Sequence, residues 1–547
     1  MQSKSFIIKA NLADVWKKET YPAEIKVENG RIAGIRRIEE LQSIYVLPGF
    51  VDSHVHIESS LLIPVEFARL AVIHGTVATV SDPHEIANVC GMAGVDFMIE
   101  NGKKTPFKFY FGAPSCVPAT SFETAGATLD SNDVKALLSR PEIKYLSEMM
   151  NFPGVLDGDD EVMKKIKAAH EADKPVDGHA PGLRGETAKR YIDAGISTDH
   201  ECFTAEEALD KIGYGMKILI REGSAAKNFE ALADLLHEHA DVIMLCSDDK
   251  HPDSLILGHI NQLCARAVAK GIPFFNVLQA ACVNPVLHYK LDVGLLREGD
   301  PADFIVVDDL KNFKVQRTYI DGTLVAENGT TKILSAAASA INFFDCDPIL
   351  TGDIQMKAAT NDALNVIEAL DGQLITNKLN VPPKIVEGDV TSDTQRDILK
   401  LVVVNRYQKA PVAVSFIKNF GIKKGAIASS VAHDSHNIIA VGADDESLVK
   451  AINLVVREKG GLSCVAGNVE KVLPLPVAGL MSTDDGYRVA DAYSALDNMA
   501  KTTLGSTLAS PYMTLSFMAL LVIPHLKLSD KGLFDGDTFS FINQANL

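Results

Sequence analysis

Six residues of the kind that ligate metals, His54, His56, Glu148, His179, His200 and Asp248, stand at the ends of apolar runs in the first half of the chain. Each run has the length of a strand and leads into a turn. A set spread in this way is what a two-metal site at the mouth of a β/α barrel requires, so the chain is expected to be a metallohydrolase.

The first pair is the most specific. In VLPGFVDSHVHIESS the side chains of a strand alternate with period two, so His54 and His56 face one side and can grip one ion. A lone His-x-His would be weak evidence, because surface and core histidines also pair. Here the motif follows an apolar segment closed by Pro48 and Gly49, and four further candidates arrive at later strand ends.

At 547 residues the chain exceeds one ordinary core, and a large barrel with at least one further domain is the natural partition. A 47% hydrophobic and 23% charged composition describes a globular protein. The formal charge of −18, without a broad basic patch, argues against nucleic acid or an anionic membrane as partner and favours a small neutral substrate. The eight cysteines lie mostly in apolar segments without a CxxC pair and read as reduced core thiols. The start MQSKSFIIKANLADVWKKE lacks the apolar stretch of a secretory signal, and no apolar segment reaches membrane-spanning length, so a cytoplasmic protein is expected.

Three parts are expected along the chain. Short β-type runs, AEIKVENG and RIAGIRR, flank an Asn29-Gly30 hairpin signal, and the same texture returns in DPADFIVVDD and VQRTYIDGTLVAENG. This predicts a small β domain assembled from 1–48 and 300–345. Between the flanks, strands and helices alternate. The strand candidates are GFVDSHVHI, TVATVSDP, FKFYFGAP, IKYLSEM, KPVDGHAP, GISTDHE, MKILIREG and VIMLCSDD, enough for a (β/α)8 TIM-like barrel over 49–299. DEVMKKIKAAHEAD and NFEALADLLHEHA have helical spacing. An open doubly wound sheet is the alternative, but polar ligands at so many strand ends favour closure. Residues 350–547 read as a C-terminal α+β domain, with DESLVKAINLVVREKGG a well-signposted helix. YMTLSFMALLVIPHLKL reads as a buried segment.

Hydrolysis at neutral pH needs hydroxide, which two divalent cations sharing one water can supply. His54 and His56 would hold the more buried ion, His179 and His200 the other. Glu148, ending the fourth strand, has the charge and position to bridge them. Asp248 would bind metal, accept the proton of the bridging hydroxide and donate it to the leaving group. Asp249 would point elsewhere if the strand stays regular, as a loop or capping residue. Nitrogen and carboxylate donors without thiolates suit manganese, iron or zinc.

The segments PGFVDSHVHIESSLL, SDPHEIANV, SCVPA, EMMNFPGV, DGHAPGL, IREGSAA, CSDD, DPADFIVV, SVAHDSHNI, LPLPVAGLMSTD and IPHLKL together resemble the bacterial adenine deaminases of the amidohydrolase superfamily, over nearly the whole chain. His-x-His and the final Asp mark only the superfamily, whereas SDPHEIANV and AHDSHN are more particular. The resemblance implies adenine and water giving hypoxanthine and ammonia, at a binuclear site usually associated with manganese or iron. It also implies that Glu148, not a carboxylated lysine, joins the metals, and no lysine occupies that strand end. Adenine C6 becomes electrophilic as N1 gains a proton, which Glu148 would shuttle, while Asp248 would serve the departing amine. The expected partner is small-molecule adenine, met by a homo-oligomer.

Other candidates stay open. Asp82 and His84 in SDPHE would line the base pocket, or else form an Asp-Pro turn before a helix-starting Glu85. Arg221, Glu222 and Ser224 would contact adenine or fix loops by ion pairing. His433, Asp434 and His436 could reach over the barrel mouth or bind another ion, but local hydrogen bonding is the expectation for a motif outside the barrel. Among other functions, a cyclic-amide hydrolase of the dihydroorotase or hydantoinase type would share the barrel but commonly needs a bridging lysine and a cationic contact to substrate, for which Arg221 is available. His56-Ile57-Glu58 imitates the His-x-Glu of cytidine-type deaminases, but no Pro-Cys-x-x-Cys follows. A metal-free scaffold protein would be marked by lost ligands, and all six positions are filled.

Overall fold

The computed structural model describes residues 5–358 and 363–542. Strands β1 (Phe6–Asp14), β2 (Glu19–Glu28) and β3 (Arg31–Arg37) run antiparallel, and the β2–β3 turn is Asn29-Gly30. Their φ angles of 51° and 80° are the left-handed pair that a two-residue hairpin requires. Strand β4 (Tyr45–Pro48) then pairs parallel with β1.

Parallel strands occupy all eight of the expected segments: β5 (Phe50–Val55), β6 (Thr76–Ser81), β7 (Lys108–Ala113), β8 (Ile143–Met149), β9 (Val176–Gly178), β10 (Thr198–Asp199), β11 (Lys217–Arg221) and β12 (Ile243–Cys246). They form a five-stranded sheet, β5 to β9, and a three-stranded sheet, β10 to β12. The sheets meet at both margins through single parallel bridges, Val176 to Ile196 and Val55 to Asp248. Strands such as β5, β6 and β12 are buried throughout, which is why they read as near-continuous apolar runs.

Helices connect the strands. Asp160–Glu171, between β8 and β9, starts where Asp159 accepts from the backbone N–H groups of Glu161 and Val162. NFEALADLLHEHA, expected as one helix, divides into Phe229–Leu232 and a 3-10 turn, Ala233–His237. Its apolar face survives, with Phe229, Leu232, Ala233 and Leu236 buried. Asn228, the natural cap, is instead drawn inward, where it accepts from Arg221 N–H and donates to the carbonyls of His200 and Cys202.

After the parallel strands come β13 (Phe304–Val307), β14 (Val315–Ile320), β15 (Thr323–Glu327) and β16 (Thr330–Thr331). β13 pairs antiparallel with β4, so one eight-stranded sheet, ordered β16-β15-β14-β13-β4-β1-β2-β3, is built from both flanks. A second eight-stranded sheet spans Leu364–Ala369 to Val469–Pro474. The helix Asp445–Glu458 covers one face through Leu448, Ala451, Ile452 and Val455. Asp444 caps its start, and Lys459 in the left-handed region, followed by Gly460, ends it.

Helix Gly486–Thr502 lies against helix Pro64–Ala71, fastened by Arg69 to Asp485 at 2.7 Å and by Gly486 N–H donating to Glu66 at 2.8 Å. The buried helix Pro511–Phe517 follows, and the strand Leu526–Ser529 completes the apolar C-terminal stretch. Among the described residues no helix is long and apolar enough to cross a membrane. All eight cysteines are free.

Candidate metal centre

The six candidates converge at the carboxyl ends of the parallel strands, each 6% exposed or less. His54 lies in β5 and His56 just past it, with extended backbone, so the period of two brings their rings to 4.8 Å between centroids. His56 Nδ1 donates to the carbonyl of Asp82 at 3.3 Å, since a carbonyl only accepts, and this turns Nε2 toward the cluster. Nε2 faces Glu148 Oε1 at 3.2 Å and Asp248 Oδ1 at 3.4 Å.

Glu148 stands between two histidine pairs. Its Oε1 faces His56, with His54 Nε2 at 4.0 Å, whereas Oε2 is 2.7 Å from His179 Nδ1 and 3.2 Å from His200 Nε2. His179 follows Gly178, where a Cβ would sit 2.4 Å from the carbonyl oxygen of Thr198. Glycine there lets β9 and β10 approach closely, and the rings of His179 and His200 come within 5.3 Å. Tyr191 fixes this corner, donating to the Met149 carbonyl and accepting from His179 N–H.

Asp248 has a left-handed backbone, φ 53°. Its N–H donates to the His54 carbonyl at 2.9 Å and its carbonyl accepts from His56 N–H at 3.4 Å, which pins it beside β5. The expectation for Asp249 is corrected here. It rested on a regular strand, but the turn at Asp248 sends Asp249 to the same cavity, where it accepts from Ser59 Oγ at 2.5 Å.

Electrostatics follow from this crowding. Burial pushes the Glu148 carboxyl up, but His179, His200 and His56 hold it well below the usual range. Burial likewise opposes ionisation of Asp248, and Arg221, His54 and His56 outweigh it. Burial pulls the imidazoles down, yet hydrogen bonds donated to Asp248 and Glu148 lift His56 well above its ordinary value, and Glu148 raises His200 to about 9. His54 is lowered by burial and by His200. The pocket is rich in carboxylate and calls for positive charge, which protons or divalent cations can provide.

The donor set fits such cations. Both ring nitrogens of His54, and Nε2 of His179, are buried without hydrogen-bond partners. Potential ligand atoms lie within 4.8 Å of one another in overlapping groups, including His54, His56 and Asp248; His54, Glu148 and His200; and His56, Asp82, His84 and Glu148. Asp82 accepts from His84 Nδ1 at 3.0 Å, and both residues are at the cluster.

Arg221 and Glu222 fare differently. Arg221 donates to Asp248 at 2.6 Å and grips both oxygens of Glu201, so its donors are engaged by carboxylates. Glu222 pairs with Arg266, away from the cluster. Ser224 hydrogen-bonds Ser254 at 2.8 Å and fixes loops. Glu201 was missed in the sequence although it follows His200 directly; its oxygen lies 3.5 Å from His200 Nε2 and 3.6 Å from His179 Nδ1.

The local hydrogen bonding expected for His433, Asp434 and His436 is also corrected. These residues cross to the parallel-strand region: His433 Nδ1 is 2.5 Å from Glu85 Oε1, and His436 hydrogen-bonds the other oxygen of Glu85. His433, Asp434, Leu374, Phe517 and Leu520 roof a cavity of about 20 Å³ over the ligand cluster. A separate cavity of about 1020 Å³ between the loops after β7 and β8 and residues 522–539 adjoins it at Met150, which lines both.

Residues 45–325 match the amidohydrolase family, and residues 373–540 match the adenine deaminase C-terminal domain. The chain is 55% identical to an adenine deaminase of Sulfurovum sp. (strain NBC37-1), over 98% of this chain and 99% of that one. It is 54% identical to an adenine deaminase of Salinibacter ruber, over 99% of each chain. With an adenine deaminase of Borreliella burgdorferi the identity is 51%, over 98% of this chain and 99% of the relative.

Proposed function

The chain belongs to the adenine deaminase family, within the amidohydrolases, and from that premise we propose how its buried centre carries out the family's reaction. The reaction is hydrolysis of the exocyclic C–N bond of adenine, giving hypoxanthine and ammonia, a step of purine salvage. The two parallel sheets are read as arcs of one closed (β/α)8 TIM-like barrel, with the bridges Val176 to Ile196 and Val55 to Asp248 as its seams. In this reading 49–299 is the barrel, 1–48 with 300–345 the flanking β domain, and 350–547 the C-terminal α+β domain.

His54 and His56 would hold one divalent metal ion, and His179 and His200 a second. Glu148, with one oxygen toward each pair, would join them, and Asp248 would bind beside the first. Nitrogen and carboxylate donors without thiolates favour manganese or iron, with zinc next. When bound, such ions acidify water enough to supply hydroxide near neutral pH.

The chain's own groups then move the protons. Glu148 takes one proton from the attacking water and delivers it to adenine N1, which makes C6 electrophilic. Asp248 accepts the hydroxyl proton of the tetrahedral C6 adduct through Oδ1 and passes it to the departing amine as the C6–N6 bond breaks. Such acid–base assistance is worth about two to four decades in rate. Asp82 and His84 are proposed to line the base pocket. Arg221, which kept a cyclic-amide substrate open, is engaged by Glu201 and Asp248, and that favours the purine. The same reading carries a cytoplasmic, homo-oligomeric enzyme.

The observation that carries this reading is identity above 50% with adenine deaminases over nearly the whole chain. Its test is ammonia release by manganese-loaded protein given adenine, adenosine or a dihydropyrimidine amide. Release from adenine alone is expected. Silence on adenine with metals bound would return the cyclic-amide hydrolase to first place.

A further inference from the structure

The roof of the cavity carries two polar atoms that the chain itself does not use. His433 Nε2 and Asp434 Oδ2 are buried and have no hydrogen-bond partner, although the residues are only 2% and 1% exposed. Every other polar atom of the two side chains faces a partner. His433 Nδ1 lies 2.5 Å from Glu85 Oε1, and Asp434 Oδ1 lies 3.9 Å from both His84 Nε2 and His433 Nδ1. Unpaired buried polar groups are costly, and a pair of them lining a ligand cavity calls for an occupant.

Their chemistry is defined by what holds them. Glu85 stands between two imidazoles, with His433 at one oxygen and His436 at the other. A carboxylate only accepts, so His433 Nδ1 carries a proton. With Nδ1 taken by Glu85, Nε2 is the ring nitrogen left to the cavity, and a carboxylate held against Nδ1 favours the imidazolium, in which Nε2 is an N–H donor. The ring is stacked on Phe517, 4.4 Å between centroids and 15° between planes, which fixes where Nε2 points. The roof therefore offers one fixed N–H donor beside one carboxylate acceptor.

Resting on the function proposed above, we infer that His433 and Asp434 read the purine edge opposite C6, His433 Nε2 donating to N3 and Asp434 Oδ2 accepting from N9–H. The ligand cluster comes from the strand ends of the barrel and these two residues from the domain above it. A base whose C6 faces the cluster turns its N3–C4–N9 edge to the roof. On that edge adenine presents one acceptor beside one donor, the complement of the pair. A substituent on N9, such as ribose, removes the donor and collides with the roof. Selectivity for the free base thus resides in the C-terminal domain.

The test uses the full-length, metal-loaded protein with adenine, 9-methyladenine and 3-deazaadenine. A site built to bond a substrate N–H rejects an analogue lacking it strongly, so the parent is expected to lose at least about a thousandfold in kcat/KM on 9-methyladenine. In Asp434→Ala, and more mildly in Asp434→Asn, the KM for adenine should rise about 10- to 100-fold, with kcat less affected and the penalty for 9-methylation reduced. In His433→Gln, replacing N3 by carbon should cost less than it costs the parent. Matched metal content and unfolding midpoints separate these effects from misfolding. The inference is overturned if Asp434→Ala keeps the parent's KM and its rejection of 9-methyladenine, or if the parent accepts both bases equally. Should the parent not deaminate adenine at all, the function proposed above fails. Calorimetric binding of adenine against 9-methyladenine would then decide the edge reading by itself.

Discussion

Arg221 Nη1 lies 2.6 Å from Oδ2 of Asp248, which leaves Oδ1 of the same carboxylate facing Nε2 of His54 at 3.6 Å and of His56 at 3.4 Å. One oxygen is held by a buried guanidinium while the other is presented to the centre. The guanidinium is in turn fixed by both oxygens of Glu201. Arg221 therefore fixes the orientation of the Asp248 carboxylate.

Asp248→Asn keeps the shape and one oxygen of the side chain but cannot cycle a proton. The variant is expected to retain metal, by elemental analysis, and to lose about two to four decades of kcat on adenine. Turnover at the parent's rate would remove Asp248 from its proposed role.

Arg221→Ala leaves the carboxylates of Asp248 and Glu201 buried without their shared cation, and breaking a buried pair in this way costs about 3–5 kcal/mol. Urea unfolding should register that loss. Arg221→Lys, which keeps the charge but not the fork, should fall between the two. Equal stability of all three proteins would mean that the carboxylates find other partners.

Glu148→Gln keeps hydrogen bonding but removes the charge between the two histidine pairs. Metal affinity should weaken by more than the roughly 10- to 100-fold typical of losing a supporting contact. Titration with manganese, followed by metal content after desalting, measures it. Unchanged content would argue that the histidines hold the ions without a bridge.

The Glu85–His433 contact joins the parallel-strand region to the C-terminal part of the chain and should make stability pH-dependent. The folded His433 imidazole, at about 9, lies above its ordinary 6.5, so its contribution is complete below about pH 6.5 and is lost as pH rises through about 9. Thermal unfolding of the parent and of His433→Gln should therefore differ most near pH 6 and converge toward pH 10. A gap that widens with pH would reverse the assignment.

The parallel strands and the six candidate ligands were legible because each strand is an apolar run ended by a polar residue, and the period of two alone sets His54 beside His56. Asp249 was not, because the inference assumed a regular strand and Asp248 adopts a left-handed backbone that turns the next side chain inward. Glu201 was hidden by its neighbour His200, since a strand end usually presents one of two adjacent residues. The AHDSHN motif was visible, but its placement depends on a contact between Glu85 and His436 spanning 351 positions, which no local pattern encodes. Arg221 stood out as a charged residue at a strand end, open to adenine contact or to ion pairing, and only the surrounding carboxylates decide what it binds.

The sheet that takes strands from both flanks has a consequence for how the chain is made. Pro48 in β4 pairs with Phe304 in β13, so one edge of β4 stays open until everything between them has left the ribosome. At about 5–20 residues per second that interval is on the order of ten seconds or more, far longer than a hairpin needs to form. The β1–β4 layer can assemble early, whereas its seam closes last and at long sequence separation, the slow kind of pairing. A chain truncated anywhere inside the barrel would carry that bare edge permanently, and an exposed strand edge is a template for aggregation.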